Sequence, residues 1–411
     1  MYSLLLLLLG APLLICQRLF LGKYRNSLSQ RLGFSLPKMP KGGSLIWIHA
    51  VSLGETKAVM PLCHMLQREY ANSTIVFSNT TETGHQEATK SLPGIVTFYL
   101  PLDIGFIMRR LVKRLHPDLL IFVETDCWYN LMRYAKKEGA KILLVNGKIS
   151  EKSAKRFGCF PELSKRFFGK LDLLCLQNQE YQERFAALGV SSDKLHITGN
   201  LKSDIAQVVA NPEALRKMLP SNAVIILLAS THDQEEKLLL KALKAVQIPN
   251  LRILLAPRHP NRFPLVANFL TEEKIIWASF SQGGNPDAEV ILIDTMGSLG
   301  LCYQLSHLSL ICGSFIPGIG GHNLLEPLQL GSPLIFGPYT DNQTEFASKI
   351  LAADAGIQAA VEELPELVLR LLNNPVRRQE LSAHGTQLVQ QMQGGSSRTL
   401  LQIKKIWPAE K

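Results

Sequence analysis

The stretch Asp294–Pro338 reads DTMGSLGLCYQLSHLSLICGSFIPGIGGHNLLEPLQLGSPLIFGP, and its alternation of turn residues and apolar runs decides the fold. A strand end and a glycine turn lead into a helix, then a strand, a glycine-rich loop, an Asn-x-x-Glu helix start and a strand closing in Phe-Gly-Pro. A glycine-rich turn that opens a helix offers backbone N–H groups and a positive dipole end to a phosphate. A carboxylate in that helix's first turn can take a pair of ribose hydroxyls. Gly313, Gly318, Gly320, Gly321, Gly331 and Gly337 are more glycines than a plain loop between two core strands requires. The layout is that of a nucleotide-sugar site at the carboxyl edge of a parallel sheet.

Outward from this stretch, strand-length apolar runs alternate with helical stretches. In the first half they are Leu45–Val51, Thr74–Ser78, Thr97–Leu100, Leu119–Val123, Ile142–Val145, Leu173–Leu176 and Leu195–Thr198. In the second they are Val224–Ala229, Ile253–Ala256, Ile275–Ala278, Val290–Ile293, Leu308–Ile311 and Leu334–Phe336. Continuous Ile/Leu/Val runs between helices predict parallel strands buried on both faces. Two series in 411 residues imply two doubly wound, Rossmann-like α/β domains facing a central cleft. The boundary falls in 203–222, where Asn211–Pro212 and Pro220–Ser221–Asn222 punctuate the chain. The division is then residues 1–22 as a membrane segment, 23–205 as an N-terminal domain and 206–411 as a C-terminal one.

Seven cysteines, with no C-x-x-C and no zinc-like histidine spacing, read as buried thiols in a reducing compartment. The net charge of +10 is uneven. No Asp or Glu precedes Glu55, while Arg18, Lys23, Arg25, Arg31, Lys38 and Lys41 do. Residues 2–16 are almost wholly apolar and their positive charge follows them, the reverse of a signal peptide. The pattern predicts an N-terminal anchor helix over 2–22, either spanning or lying shallow, with the body on the cytoplasmic side. The basic collar suits an anionic lipid surface. Without aromatic–basic interleaving it does not suit nucleic acid.

Polar clusters close the strands. Gly54 permits a turn after His49-Ala-Val-Ser, and Glu55 then falls in the first helical turn, as a helix cap or as a base for a hydroxyl. Ser78–Gly84 is dense in hydroxyls that either cap a helix or meet a sugar or phosphate. Glu124-Thr-Asp126-Cys-Trp128 suggests a polar pocket wall. Lys202 after Gly199-Asn-Leu is either solvated or meets a carboxylate or phosphate. Arg258 between Pro257 and His259-Pro260 presents a fixed guanidinium suited to phosphate or carboxylate. His232, His259 and His322 match no metal spacing, and the Asp-x-Asp of metal-dependent sugar transferases is missing, so no metal or other cofactor is expected.

HAVSLGE, SNTTETG, YLPLD, VETDCWYN, GNLKSD, ASTHDQEE, APRHPNR, DTMGSLGLCY, GSFIPGIGGHNLLEP and FGPYTDN, in this order, resemble the successive motifs of the Kdo transferases. The resemblance runs from about His49 to Phe346. It implies a glycosyltransferase-B fold and transfer of 3-deoxy-D-manno-octulosonic acid from CMP-Kdo to a lipid A precursor, lipid IVA, with inversion, in lipopolysaccharide core biosynthesis. It implies that Glu55 is the general base and that Glu124 and Lys202 stabilise the transition state. It also implies that Pro257, Arg258, Met296, Gly297, Ser298, Asn323, Leu324, Leu325 and Glu326 contact CMP. Three positions depart from the family pattern. Asn146-Gly-Lys148-Ile-Ser150 replaces Asn-Ala-Arg-hydrophobic-Ser, Trp128-Tyr129-Asn130 replaces Trp-Pro-Asn, and Ser298 replaces the frequent acidic residue after Met-Gly. The first two bear on acceptor preference and the number of sugars added.

The expected protein is thus a metal-independent Kdo transferase on the inner membrane of a Gram-negative-type bacterium, its catalytic body facing the cytoplasm. Rival readings are a UDP-sugar-using enzyme of the same fold, or a related epimerase, and a catalytically silent nucleotide-binding protein tethered to a membrane.

Overall fold

The computed structural model of the protein describes residues 2–21, 24, 27–37, 43–205, 211–283 and 285–408. The expected boundaries at 22–23 and 206, and the collar residues Lys23, Arg25, Lys38 and Lys41, fall outside them. Among the described residues, fourteen strands make two seven-stranded sheets, and every strand pair is parallel.

The first sheet contains β1 (Leu45–Ala50), β2 (Thr74–Asn79), β3 (Val96–Tyr99), β4 (Leu119–Val123), β5 (Lys141–Gly147), β6 (Leu173–Leu176) and β7 (Leu195–Ile197), in the order β3-β2-β1-β4-β5-β6-β7. Side chains alternate faces along each strand. Leu45, Trp47, Leu120, Phe122, Ile142 and Leu144 therefore enter one core, while Ile46, Ile48, Ile121, Val123, Leu143 and Val145 enter the other. This two-sided burial is why these strands read as unbroken apolar runs. Truncating a fully buried member such as Phe122 to Ala should cost about 3–5 kcal/mol.

The second sheet contains β8 (Val224–Thr231), β9 (Leu251–Pro257), β10 (Trp277–Ser279), β11 (Val290–Leu292), β12 (Leu308–Ile311), β13 (Leu334–Phe336) and β14 (Ile357–Gln358), in the order β10-β11-β9-β8-β12-β13-β14. In each sheet the chain builds one side of the first strand and then crosses to its other side; in the second sheet β11 inserts between β9 and β10 before that crossing. The strand order thus reverses between β1 and β4, and again between β8 and β12. Open parallel sheets hold ligands at the carboxyl ends of strands at such a reversal.

The chain forms two compact units, Met1–Ile205 with Met392–Lys411, and Ala206–Gln391. The sequence places all of 206–411 in the second domain; residues 392–411 instead pack with the first unit. The reason lies in the helix Gly395–Ile406. Ile403 sits in the same core as Leu62 and Cys63. Tyr70 donates its hydroxyl to the Trp407 carbonyl at 2.7 Å, and the two rings lie 4.6 Å apart.

The N-terminal helical segment runs as Tyr2–Leu5, a π-helical turn Leu6–Gly10, and Ala11–Leu21. Among the described residues no helix is long and apolar enough to cross a membrane. The first turn of the segment docks on the first unit. Ser3 Oγ accepts from Gly105 N and from Asn130 Nδ2, each at 3.1 Å, and Tyr2 lies beside buried Asp103. Leu4, Leu8, Leu13, Leu19 and Phe20 remain exposed. Arg31, expected in the basic collar, is buried instead. Its guanidinium lies over the Tyr24 and Tyr99 rings at 4.4 and 4.9 Å and donates to Ser27 Oγ and the Thr80 carbonyl. It is a packing residue and cannot meet a lipid surface.

Candidate active site

At the β1/β4 reversal, Ser52 caps the helix Leu53–Glu69 and Glu55 sits at its third position. Ser52 Oγ donates to Glu55 Oε1 at 2.8 Å, and Val51 N donates to Oε2 at 2.8 Å. Glu55 N donates back to Ser52 Oγ at 3.4 Å, so the side chain closes the helix start and the helix-cap reading of Glu55 is realised. It does not exhaust the carboxylate, because each oxygen keeps a lone pair. Burial pushes the Glu55 carboxyl up to about 7, the bonds from Val51 and Ser52 oppose the rise, and the charges of Glu124 and Asp126 add to it. A carboxylate half-ionised near neutrality is tuned for taking a proton from a hydroxyl.

Across the reversal, Glu124 directly follows β4 at φ 64°. A non-glycine residue in this left-handed region costs about 1–3 kcal/mol, a cost found concentrated at functional sites. It turns the carboxylate to two lysines. Lys148 Nζ lies 2.6 Å from Oε2 and Lys202 Nζ 3.3 Å from Oε1. Burial works against the charge of Lys148, but Glu124 outweighs it and the ammonium pKa rises. Burial, then Glu124, lifts the neighbouring Asp126, with Lys148 opposing. The geometry thus brings Glu55, Glu124 and Lys202 to one edge.

It adds Lys148, which the sequence marks only as a departure from an expected arginine. A cation at that position still pairs with Glu124, so the substitution keeps the ion pair and changes its shape from fork to point charge.

Lys202 is held from behind. It lies in the 3₁₀ turn Leu201–Asp204, whose first residues are fixed by Asn200 Oδ1 accepting from Lys202 N and Asn146 Oδ1 accepting from Leu201 N, each at 3.0 Å. Asp204 then accepts from Gly394 N at 2.7 Å and Ser396 N at 2.5 Å, at the start of the C-terminal helix. The hydroxyl-rich Ser78–Gly84 is used internally. Thr81 caps the helix Glu82–Ser91, and Asn79 Nδ2 donates to Ala50 O and Thr56 Oγ1. Ser78 Oγ accepts from Trp47 Nε1 at 2.8 Å and lies 2.9 Å from His49 Nδ1. Trp128 Nε1 donates to His49 Nε2 at 3.1 Å, so Nδ1 carries the ring's proton. Burial drops the His49 pKa to about 3 and keeps it neutral.

In the second unit the β8/β12 reversal carries the glycine-rich loop. Gly313 (φ 73°) accepts no side chain, because a Cβ would stand 2.9 Å from the His322 ring. A Cβ at Gly337 would stand 2.1 Å from the Ser314 carbonyl. The loop is shaped by Glu235, a fully buried residue the sequence does not single out. Its carboxylate accepts from Gly313 N at 2.7 and 2.8 Å, from Phe315 N at 3.2 Å and from His232 N at 3.1 Å. Glu236 pairs with Arg262 at 3.1 Å and accepts from Thr231 Oγ1 at 3.0 Å. Glu235 of ASTHDQEE is thus the frame of the loop, with Glu236 beside it held by Thr231 and Arg262; only their place soon after a strand signals this.

Pro257 is buried at the end of β9, and the following Arg258 donates its N–H to Thr231 O at 3.0 Å. Met296 is exposed, Gly297 turns at φ 85°, and Ser298 Oγ lies 2.6 Å from Thr295 Oγ1. Asn323 is exposed and its Oδ1 accepts from Leu325 N at 3.0 Å. Leu324 and Leu325 are buried, which leaves only their backbone for a ligand. Glu326 is half-buried in the first turn of the helix Leu325–Gln329. That helix has five residues. The dipole expected to attract a phosphate is therefore short.

The family model for 3-deoxy-D-manno-octulosonic-acid transferase (kdotransferase) matches residues 26–205. The chain is 32% identical over 413 residues to the 3-deoxy-D-manno-octulosonic acid transferase of Chlamydophila psittaci (strain ATCC VR-125 / 6BC), covering 98% of this chain and 95% of the relative. It is 33% identical over 420 residues to that of Haemophilus influenzae (strain ATCC 51907 / DSM 11121 / KW20 / Rd), covering 97% and 96%. Among solved structures it resembles a glycosyltransferase from Rickettsia africae ESF-5, with TM-score 0.60, 15% identity and coverage of 89% and 99%. It also resembles a UDP-N-acetylglucosamine 2-epimerase, with TM-score 0.59, 15% identity and coverage of 90% and 98%. At such identity these two show the fold alone, a pair of Rossmann-like units of the glycosyltransferase-B kind. The relatives alike over nearly their whole length decide the family: the chain belongs to the 3-deoxy-D-manno-octulosonic acid transferases.

Proposed function

We propose that this enzyme transfers Kdo from CMP-Kdo to a lipid A precursor, lipid IVA, in lipopolysaccharide core biosynthesis, by a metal-independent inverting displacement. The observation that carries this reading is the pair of carboxylates at the β1/β4 reversal, one poised near neutrality by burial and one clamped by two lysines. The acceptor hydroxyl gives its proton to Glu55 while its oxygen attacks the anomeric carbon of Kdo. The bond from that carbon to the phosphate oxygen breaks, and CMP leaves with the electron pair. One displacement inverts the centre, and no covalent intermediate forms. Lys202 and Glu124 stabilise the charges of the transition state, with no reorganisation because their ion pairs are already made. The second unit binds the nucleotide through Pro257, Arg258, Met296–Ser298 and Asn323–Glu326. The first unit serves the acceptor, and more than one Kdo transfer is compatible with the chemistry.

The enzyme works at the cytoplasmic face of the inner membrane. The exposed Leu4, Leu8, Leu13, Leu19 and Phe20 support a shallow interfacial seat for the N-terminal helical segment. Purified protein with CMP-Kdo and lipid IVA, its products resolved by mass, tests the reaction. Kdo addition that survives EDTA is expected. Turnover only with a UDP-sugar, or activity that requires an added divalent ion, contradicts it. Deleting residues 1–22 should release much of the protein from anionic vesicles and leave a residual, salt-sensitive binding through the basic collar; undiminished co-sedimentation contradicts the interfacial seat.

A further inference from the structure

Three histidines meet at the carboxyl ends of three neighbouring strands of the second sheet. His259 follows β9, His232 follows β8, and His322 lies in the loop after β12. The rings of His232 and His322 are near parallel, at 10° and 4.9 Å between centroids, and their Nε2 atoms lie 2.7 Å apart. The His259 ring stands edge-on to His232 at 5.6 Å.

Two imidazole nitrogens at 2.7 Å must share one hydrogen. Two hydrogens there collide, and none leaves two lone pairs in opposition. That constraint admits two charge states. In the neutral pair one ring donates through Nε2 and keeps a lone pair on Nδ1, while the other carries its hydrogen on Nδ1. One further proton can settle on the free Nδ1 without disturbing the Nε2 contact; a second cannot. The pair therefore holds either no charge or one positive charge in the same geometry, and titrates as a unit.

The surroundings hold it at zero. Burial lowers both rings most; His322, to about 4, is lowered next by its partner His232 and then by Arg258 and His259, and His232 is lowered further by His259, Arg258 and Arg262. Neighbouring acids do not compensate. Glu235 is engaged by the amides of His232, Gly313 and Phe315, Glu236 by Thr231 and Arg262, and Asp233 by Arg262 on the surface. An anion seated beside Arg258 would reverse the balance and draw a proton onto the pair.

We propose that the His232–His322 pair is a phosphate-binding element that takes up one proton from solvent as the nucleotide phosphate binds beside Arg258. This rests on the nucleotide reading of the second unit. Phosphate and carboxylate share the chemistry that would do this, so the ligands of the test separate them.

The full-length protein is titrated calorimetrically with CMP, cytidine, inorganic phosphate and acetate at pH 7.5, in two buffers of different ionisation enthalpy. CMP and inorganic phosphate should bind with net proton uptake, and cytidine without it. CMP affinity should rise about 3- to 10-fold from pH 8.5 to 7. His322→Gln and His232→Gln should each abolish the uptake and lower the CMP-over-cytidine preference about tenfold, with cytidine affinity unchanged as the sign of an intact fold. Absence of proton uptake by the wild-type protein overturns the proposal whether or not the variants fold. So does an unchanged CMP-over-cytidine ratio in both folded variants. Uptake with acetate but not with phosphate overturns the phosphate assignment. If neither CMP nor cytidine binds while inorganic phosphate binds with pair-dependent uptake, the nucleotide reading fails and the anion site stands.

Discussion

The two units place their polar side chains at the same topological position and give them opposite character. The β1/β4 reversal is acidic, with Glu55, Glu124 and Asp126 set against Lys148 and Lys202. The β8/β12 reversal gathers Arg258 and three histidines, while its buried acids Glu235 and Glu236 face the backbone, Thr231 and Arg262. One fold plan thus yields an edge suited to moving a proton and an edge suited to holding an anion. The difference lies in where the buried carboxylates point. In the first unit burial leaves Glu55 close to neutrality with lone pairs to spare. In the second, Glu235 spends its oxygens on three backbone amides and becomes scaffold.

If the acidic edge does the chemistry and the basic edge the binding, substitutions should separate cleanly into turnover and affinity. The largest effect belongs to Glu55→Gln. Turnover should fall about 10²–10⁴-fold with CMP affinity intact. The bonds from Val51 N and Ser52 Oγ add a second consequence. A glutamine offers one acceptor oxygen where the carboxylate serves two donors, so stability should drop by about 1 kcal/mol, readable as a lower denaturation midpoint.

Lys202→Ala should follow, with turnover down about 10²-fold, as for loss of one preorganised charge, and again no loss of CMP binding. A matching loss of CMP affinity in calorimetry would break the division between the edges. From the other side, Arg258→Ala should weaken CMP by about 10- to 100-fold, the weight of a charged hydrogen bond, and leave the pH dependence of turnover in place. The smallest effect is Asp126→Asn. Removing a negative charge that Glu55 feels should move the acid limb of the rate profile to lower pH by a few tenths of a unit. A shift toward higher pH would show that Asp126 does not act on Glu55.

Much of the fold was legible because both sheets are parallel and buried on both faces, which writes each strand as an apolar run. The exception is β14, whose two residues make no run. The sequence places the C-terminal helix with the wrong unit because amphipathicity says that a helix covers a sheet without saying which. Ile403, Trp407 and the Asp204 cap decide that through contacts far away in sequence. Arg31 looked like surface charge because nothing local announces the Tyr24 and Tyr99 rings that enclose it.

At the site, Glu55, Glu124 and Lys202 come together at one strand-end cluster. What could not be read is the pairing between strand ends. Lys148 meets Glu124 from the neighbouring strand, and His322 meets His232 across 90 residues of chain. Glycine content marked the loop before β13 but not its frame, since a buried glutamate bound to amides has no sequence signature apart from its place after a strand.

The central claim is that burial tunes Glu55 into a base at neutral pH. The pH dependence of kcat/KM for Kdo transfer to lipid IVA, followed from pH 5 to 9 at saturating CMP-Kdo, tests it most directly. The ionised carboxylate is the active form, so the rate should climb with pH through a single ionisation near 7 and then level off. A limb near the ordinary glutamate value of 4.5, or a rate flat across the whole range, would contradict a buried Glu55 base.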